Sequence, residues 1–274
     1  MGRSIPAFLG YTAPMLLTGH RDGFGPGFTA VTTLDDESGI ALGVLKLMPG
    51  ESVREKTENE TAWLLISGEL EHGSEKLSRG DPFDDGPAAV HVSAGTQMAL
   101  TAIGPSEVLV MRVANKTPFA QRTYTSVKDE HRGKGLVHDA SYRFVRTVFD
   151  GNNAPPESQL VLGEVVNMPG RWSSYPPHHH PQPELYHYRF DKPDGYGHAE
   201  LGEQVFKVKG FDTLRILSGA DHPQCAAPGY AMWYAWVIRH LPGARYDRPE
   251  FDAKHRWVLA EGAKDWWPRG VNEP

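Results

Sequence analysis

Four side chains in the second half of the chain have the types and spacing of a metal site. They follow the pattern His-x-His-x-x-x-Glu, completed further along by Gly-x-x-His, and are His178, His180, Glu184 and His222. Imidazole nitrogens and a carboxylate oxygen together suit Zn, Mn, Fe, Ni or Cu. Because side chains alternate along an extended strand, the first two face one side, and the glutamate has the same parity. The pattern therefore predicts one divalent metal ion, with Zn or Mn preferred and Fe or Ni as alternatives.

The competing interpretation is a solvated polar loop, because His178, His179 and His180 are adjacent in the sequence. A single histidine on a strand usually has its hydrogen bonds satisfied locally and holds no metal. Four ligand types in the right order are harder to explain in this way. His179 has the opposite parity, so it is not expected to be a ligand.

Strand signals dominate the elements that must position these residues. Nine windows are β-branched, aromatic or alternating, and most end in Gly, Pro, Asp or Ser. They are 41–48, 61–70, 89–94, 106–114, 159–166, 185–190, 204–210, 213–219 and 231–238. Helical periodicity is scarce. Short strands at turn-like intervals predict an all-β fold, either a sandwich or a barrel.

Two halves are predicted, at residues 1–135 and 136–274, with the polar segment 125–143 as their connection. The alternative is a surface loop within one domain. Met-Pro-Gly occurs at 48–50 and again at 168–170, and the order of the following elements repeats. The first-half positions that match the predicted ligands are Arg54, Lys56, Glu60 and Met98. Two cations and a thioether cannot hold such an ion, so the metal is expected only in the second half.

Composition excludes some functions. The net charge of -6 argues against a nucleic-acid partner, which favours a basic surface. No apolar run reaches the ~20 residues of a membrane span, so a cytoplasmic protein without a membrane partner is expected. Cys225 is the only cysteine, which rules out an intrachain disulfide. We interpret it as a small buried residue, with a redox or metal role as the alternative. A homo-oligomer formed through sheet edges is a further expectation.

The metal pattern resembles that of the cupin superfamily, and a longer match narrows the resemblance. The run GRWSSYPPHHHPQPELYHYRF (170–190), with PDGYG (193–197) and HPQCAAPGY (222–230), resembles the 5-deoxy-glucuronate isomerase family of myo-inositol catabolism. The resemblance implies a bicupin, two cupin-type β-barrel or jelly-roll repeats in one chain, with the four predicted ligands as the family's metal ligands. It also implies a metal-dependent aldose–ketose isomerase, an intramolecular oxidoreductase, that converts 5-deoxy-glucuronate to 2-deoxy-5-keto-gluconate. Pro183, His187 and Trp236 depart from the family pattern.

Roles around the metal follow as expectations. Glu184 and Tyr186 are the candidate catalytic bases, and a hydroxide held by the metal is a third possibility. Arg171 and Arg189 are candidate partners for the carboxylate of a small sugar acid, although each could be a structural arginine. Tyr188 shares the parity of Glu184 and is expected to contact the substrate. Two rival functions stay open: a cupin metal-dependent dioxygenase and a non-catalytic sugar-acid-binding cupin.

Overall fold

The computed structural model describes residues 14–217 and 219–270, and the regular secondary structure of these residues is nearly all β-strand. The first ten strands are β1 (Leu16–Leu17), β2 (Gly27–Ala30), β3 (Ile40–Leu47), β4 (Ser52–Lys56), β5 (Glu60–His72), β6 (Glu75–Arg79), β7 (Ala88–Val92), β8 (Gln97–Ala102), β9 (Ser106–Val113) and β10 (Arg122–Tyr124). The next six are β11 (Glu130–Arg132), β12 (Arg143–Phe149), β13 (Leu160–Asn167), β14 (Trp172–Ser173), β15 (His178–His179) and β16 (Glu184–Phe190). The last six are β17 (Tyr196–Leu201), β18 (Gln204–Lys209), β19 (Thr213–Ile216), β20 (Gln224–Ala226), β21 (Met232–Arg239) and β22 (Glu250–Phe251).

The helical segments of the described chain are two short 3-10 turns, Val137–Asp139 and Arg256–Leu259. Each of the nine predicted strand windows overlaps an observed strand, so the all-β prediction is confirmed. In the part of the chain that the structure covers, no helix has the length and apolar character needed to cross a membrane.

The first sheet has nine strands from the first half of the chain. Its main path is β10-β7-β5-β9-β3-β2, and β6, β8 and β4 extend it from the end of β5. The long strand β5 can serve both parts because it bends after a register shift between Leu65 and Ser67. Gly68 follows at φ +111°, and a Cβ there would lie 2.3 Å from the Ser106 hydroxyl oxygen. Only glycine fits this backbone conformation and this close approach.

The second sheet has seven strands in the order β1-β19-β16-β21-β13-β12-β11. Beside it lie a four-stranded sheet, β14-β20-β17-β18, and the pair β15-β22. The central order β19-β16-β21-β13-β12 repeats the order β7-β5-β9-β3-β2 of the first sheet, strand for strand along the chain. The two halves therefore share one strand order, although their sequences differ.

Two short strands do not follow the predicted division at residue 135. Leu16–Leu17 pairs with β19, and Glu130–Arg132 pairs with β12, so both belong to the second sheet. Each forms an end strand and hydrogen-bonds to backbone groups that would otherwise be unpaired at a sheet edge. The chain thus crosses between the halves near its start as well as in the connecting segment.

Three buried clusters fill the spaces around the sheets. The largest combines side chains from both large sheets, such as Leu42 and Leu64 from the first with Leu185 and Trp233 from the second. A second cluster contains only first-half residues, and a third contains Tyr188, Tyr234 and other residues of the second sheet and its four-stranded neighbour, with Leu16 of β1 packed against it. Alternation along each strand therefore divides side chains between the shared core and a core within one half.

The predicted match between Glu60 and Glu184 is wrong, because the two side chains point to opposite faces of their sheets. On β5, Ala62 and Leu64 belong to the shared core, and Glu60 has their parity. On β16, Leu185 faces the shared core, so Glu184 points the other way. Glu60 is fully buried and binds Ser158 and the backbone of Gln159 in the second half. It joins the two halves, which a motif alignment cannot show.

Candidate metal centre

Three separate segments bring the predicted ligands together. Glu184 begins β16, His178 lies on β15 with His180 just after it, and His222 precedes β20. The backbone N–H of His222 donates to the carbonyl of His178 at 3.2 Å, which fixes the last segment against the first. Strand β15 is in turn held by β22, where His178 pairs with Phe251. Residues far apart in sequence therefore converge because several strands meet at this end of the second sheet.

His180, Glu184 and His222 form the tightest part of the site, and all three are buried. One ligand atom from each lies within 4.8 Å of the others. The Glu184 Oε2 atom is 3.2 Å from His180 Nε2 and 3.4 Å from His222 Nε2. His178 stands beside this group, with its ring centroid 4.8 Å from that of His222 in an edge-to-face arrangement.

His179 lies outside the cluster. Its Nδ1 atom is 2.9 Å from the Asp221 carboxylate, and its side chain is partly exposed.

The donor atoms fit a divalent cation. His222 Nδ1 is 2.9 Å from the carbonyl of Ala220, which assigns the ring proton to Nδ1 and leaves a lone pair on Nε2. That Nε2 atom is buried and has no hydrogen-bond partner. Burial lowers the pKa of both His178 and His222, so their rings favour the neutral form that binds metals. Neutral imidazoles beside one carboxylate are a common ligand set for such ions.

The four predicted ligands would thus hold a cation, with three of them already in mutual reach. A buried lone pair without a donor carries a desolvation cost, and a bound cation would remove it. In the described part of the chain, no other cluster of His, Cys, Asp or Glu has comparable geometry. Cys225 does not belong to this cluster. Its thiol is partly buried, and burial raises its pKa.

A cavity opens directly onto this cluster, and we call it the site cavity. It is lined by Arg132, Arg143, Val145, Val165, Ser174, His178, His180, Glu184, Tyr186, Tyr234, Trp236, Ile238, Tyr246 and Pro249. Hydroxyl groups follow one wall, where the Tyr234 oxygen is 2.6 Å from that of Ser173 and 3.3 Å from that of Ser174. The Ser174 oxygen is also 3.3 Å from that of Tyr186. The cavity combines apolar surface with a few aligned polar groups, as small-molecule sites do.

The predicted residues around the metal take different positions. Tyr186 lines the site cavity, and burial together with the Glu184 carboxylate raises its pKa well above the usual value. Tyr188 has the expected parity but donates its hydroxyl proton to Gln224 at 2.6 Å and does not line the cavity. Arg171 is partly buried and also lies outside the cavity lining.

Arg189 lies on the wrong face of β16 for the predicted substrate contact. Its parity is that of Leu185, so its side chain enters the shared core and not the site cavity. There the guanidinium is buried, pairs with Glu107 of β9, and lies 4.4 Å from the ring centre of Phe211. Its charge is therefore neutralised by Glu107 of the first half. The prediction was wrong because it relied on the closeness of Arg189 to the motif in the sequence.

Sequence reasoning missed Arg132, Arg143, Ser174 and Tyr246, which line the site cavity. Arg143 comes from β12 and Tyr246 from the segment after β21, so neither lies near the His/Glu pattern in sequence. Only the pairing of β12 with β13 brings the arginine to the site. One signal was available: Ser174 stands inside the run that carries the family resemblance.

Comparison with known proteins decides the family. A sequence model described as the KduI/IolB family matches residues 20–258 of this chain. The chain belongs to the KduI/IolB family. The family predicted from the sequence is therefore confirmed, and with it an enzyme family of isomerases.

Curated relatives agree over most of the family region. The 5-deoxy-glucuronate isomerase of Geobacillus kaustophilus is 28% identical in an alignment of 245 residues that covers 80% of this chain and 86% of that protein. The Bacillus subtilis protein of the same name is 23% identical in an alignment of 252 residues that covers 83% of this chain and 90% of the relative.

Solved structures extend the likeness to the fold. An IolB-like protein from Salmonella typhimurium superposes with a TM-score of 0.77 at 21% identity, covering 90% of this chain and all of that one. An oxalate decarboxylase from Lactobacillus farciminis gives 0.64 at 12% identity, covering 92% of each chain. At these identities the structures speak for the fold alone, which is the all-β, cupin-like fold that the resemblance predicted.

Proposed function

We propose that this chain is a metal-dependent aldose–ketose isomerase that converts 5-deoxy-glucuronate to 2-deoxy-5-keto-gluconate in myo-inositol catabolism. One observation carries the proposal beyond family membership: the buried group of His180, Glu184 and His222 beside His178, open to a cavity. The two relatives described above, which bear this activity in their names, match 80% and 83% of the chain. The substrate and the need for a metal are the parts that require a test.

His178, His180, Glu184 and His222 would hold one divalent cation. Zn or Mn is preferred, and Fe or Ni would also suit these donors. When bound, the cation would polarise the substrate carbonyl and stabilise the negative charge that develops on its oxygen.

The residues of the chain would handle protons and position the sugar acid. Isomerisation moves a proton from C2 to C1 and another from the C2 hydroxyl to the C1 oxygen. Glu184 and Tyr186 are the groups of the cavity best placed to accept and return these protons, because both face the same space. The hydroxyls of Ser174 and Tyr234 can donate and accept, so they would bind the substrate hydroxyl groups. Burial of these groups keeps bulk water from the exchanging protons.

We further propose that the two halves, residues 1–135 and 136–274, are cupin repeats, each closing toward a barrel, with β1 and β11 of the first half added as end strands to the sheet of the second. The repeated order of five strands in the two large sheets supports this division. Only the second repeat would hold a metal. Arg54 and Lys56 are exposed and Met98 is buried in an apolar cluster, so these positions of the first half offer no set of metal donors.

The test is turnover of 5-deoxy-glucuronate by protein of known metal content. We expect activity to vanish after chelation and to return with Mn or Zn. His222→Ala should lose bound metal and activity together. His179→Ala is the matched control, because this neighbouring ring lies outside the cavity, and it should retain both. Full activity of the chelated protein would contradict the metal requirement.

Two further outcomes would replace the proposal. Metal-loaded protein that consumes oxygen with an enediol or diketone substrate would be a dioxygenase. Metal-loaded protein that binds the sugar acid without converting it would be a binding cupin. Either result would keep the metal centre and reject the isomerase reaction.

A further inference from the structure

The buried arginines of the described chain differ in one respect. Arg79 and Arg146 both pair with Glu164, and Arg189 pairs with Glu107. Arg143 is buried as well, yet it forms no ion pair with any described residue. A buried charge without a counterion is unfavourable, so such a group at a cavity is a candidate for binding an anionic ligand. This contrast singles out Arg143 among chemically identical side chains.

The surroundings of Arg143 hold its guanidinium in place without neutralising it. One terminal nitrogen donates to the carbonyl of Ser141 at 2.7 Å, and the other donates to the carbonyl of Tyr175 at 3.2 Å. Two neutral acceptors thus fix the plane of the group. Its remaining N–H groups have no acceptor among the described residues. Burial lowers its pKa to about 10, so the side chain remains cationic at neutral pH.

Arg143 lines the site cavity together with the metal ligands. The only carboxylate among the lining residues is Glu184, which already contacts His180 and His222. Arg132 also lines the cavity, and its exposed pair with Glu130 adds no free negative charge there. The cavity therefore has one region, at the His/Glu cluster, that suits a cation. Its second region, at Arg143, carries a positive charge with no anionic partner among the lining residues.

We propose that Arg143 binds the carboxylate of a sugar-acid substrate. A guanidinium presents parallel N–H donors that match a carboxylate, and a desolvated pair of this kind is strong and directional. In a six-carbon aldose acid the carboxylate and the aldehyde are at opposite ends of the chain. Arg143 would hold the first end while the second reaches the His/Glu cluster. This role replaces the one that the sequence predicted for Arg171 and Arg189.

The inference rests on the proposed function, and its test separates the two. Equilibrium binding is measured for glucuronate and for glucose, which differ at C6 by a carboxylate against a hydroxymethyl group. Wild-type protein should bind glucuronate and prefer it to glucose by about 100-fold. Arg143→Gln should lose that preference and keep its metal content. Arg171→Gln is the control, since Arg171 is partly buried outside the cavity, and it should behave as wild type.

Arg143→Lys is a second variant for use if the glutamine variant does not fold. It keeps the positive charge but loses the paired N–H donors of the guanidinium. We expect about tenfold weaker glucuronate binding for it. With 5-deoxy-glucuronate as substrate, both variants should raise KM more than they lower kcat. Equal wild-type affinity for glucuronate and glucose, or unchanged binding in the Arg143 variants, would overturn the inference. Glucuronate binding through Arg143 without any turnover would instead overturn only the proposed isomerase.

Discussion

Glu60 links the two halves through several buried hydrogen bonds. Its Oε2 atom accepts from the side-chain amide of Asn115 and from the backbone of Gln159, both at 2.7 Å. Its Oε1 atom is 2.8 Å from His91 Nε2 and accepts from the Ser158 hydroxyl at 2.6 Å. Burial would raise the pKa of Glu60, but the hydrogen bonds from His91, Asn115 and Ser158 outweigh it and lower the pKa. The native fold therefore holds this carboxylate ionised.

The size of the effect follows from the groups left unpaired. Glu60→Ala removes the acceptor for Asn115 and for the Gln159 N–H, and it leaves a buried void. Leaving these buried donors unpaired, together with the void, costs about 3–5 kcal/mol of unfolding free energy. Glu60→Gln is milder, because its amide nitrogen can face His91 Nε2, which accepts when the ring proton is on Nδ1. One acceptor oxygen then stays with the two N–H donors, and the expected loss is about 1–3 kcal/mol.

Urea unfolding measured by tryptophan fluorescence and by circular dichroism tests both values. Glu58→Gln is the control, because Glu58 is exposed two residues away and should change stability by less than about 0.5 kcal/mol. We also expect the difference between wild type and Glu60→Gln to shrink at low pH, because a carboxylate with a lowered pKa loses its contribution as it protonates. If Glu60→Ala unfolds at the same urea concentration as the control, the hydrogen-bond reasoning is wrong.

Three other perturbations test separate parts of the structure. Chelation should lower the melting temperature of wild type and leave His222→Ala unchanged, because a metal held at about 1,000 times its Kd adds about 4 kcal/mol. Gly163→Ala should cost about 1–3 kcal/mol in urea unfolding, since its Cβ would lie 2.1 Å from the Trp236 ring, whereas Gly151→Ala meets no atom within 4 Å and should be close to neutral. Burial lowers the pKa of His240 from 6.5 to about 4. As the pH falls through this range, the unfolded chain binds a proton that the folded chain does not, so the stability should decrease. His240→Gln should flatten that part of the stability-against-pH curve, and an unchanged curve would contradict the assignment.

Local alternation predicted a large part of the fold and of the site. The strands around Leu42, Leu64 and Leu109 were recognisable because apolar residues recur at short spacing within each strand. The parity of Glu184, Tyr186 and Tyr188 was equally local, and all three share one side of β16. A pattern of period two needs no knowledge of the partner strand.

What failed depended on partners distant in the chain. Whether Arg189 meets a substrate or Glu107 is decided by which sheet lies behind β16, and no spacing within 170–190 contains that information. Arg143 was missed for the converse reason, because it enters the cavity through the pairing of β12 with β13. Glu60 was matched to Glu184 by motif order, while strand parity relative to the shared core put it on the other face.

The first half contributes to the candidate site without supplying a ligand. Side chains alternate on β16 and β13, so the cavity residues on these two strands have neighbours that face the shared core. Leu185 lies there next to Glu184, and Glu164 lies there next to Val165 of the cavity wall. Arg79 of the first half binds Glu164 at 2.6 Å, with both groups fully buried. The strands that carry the ligands are therefore held from behind by the half that has no metal site, and rigid support of this kind is what a precise site needs.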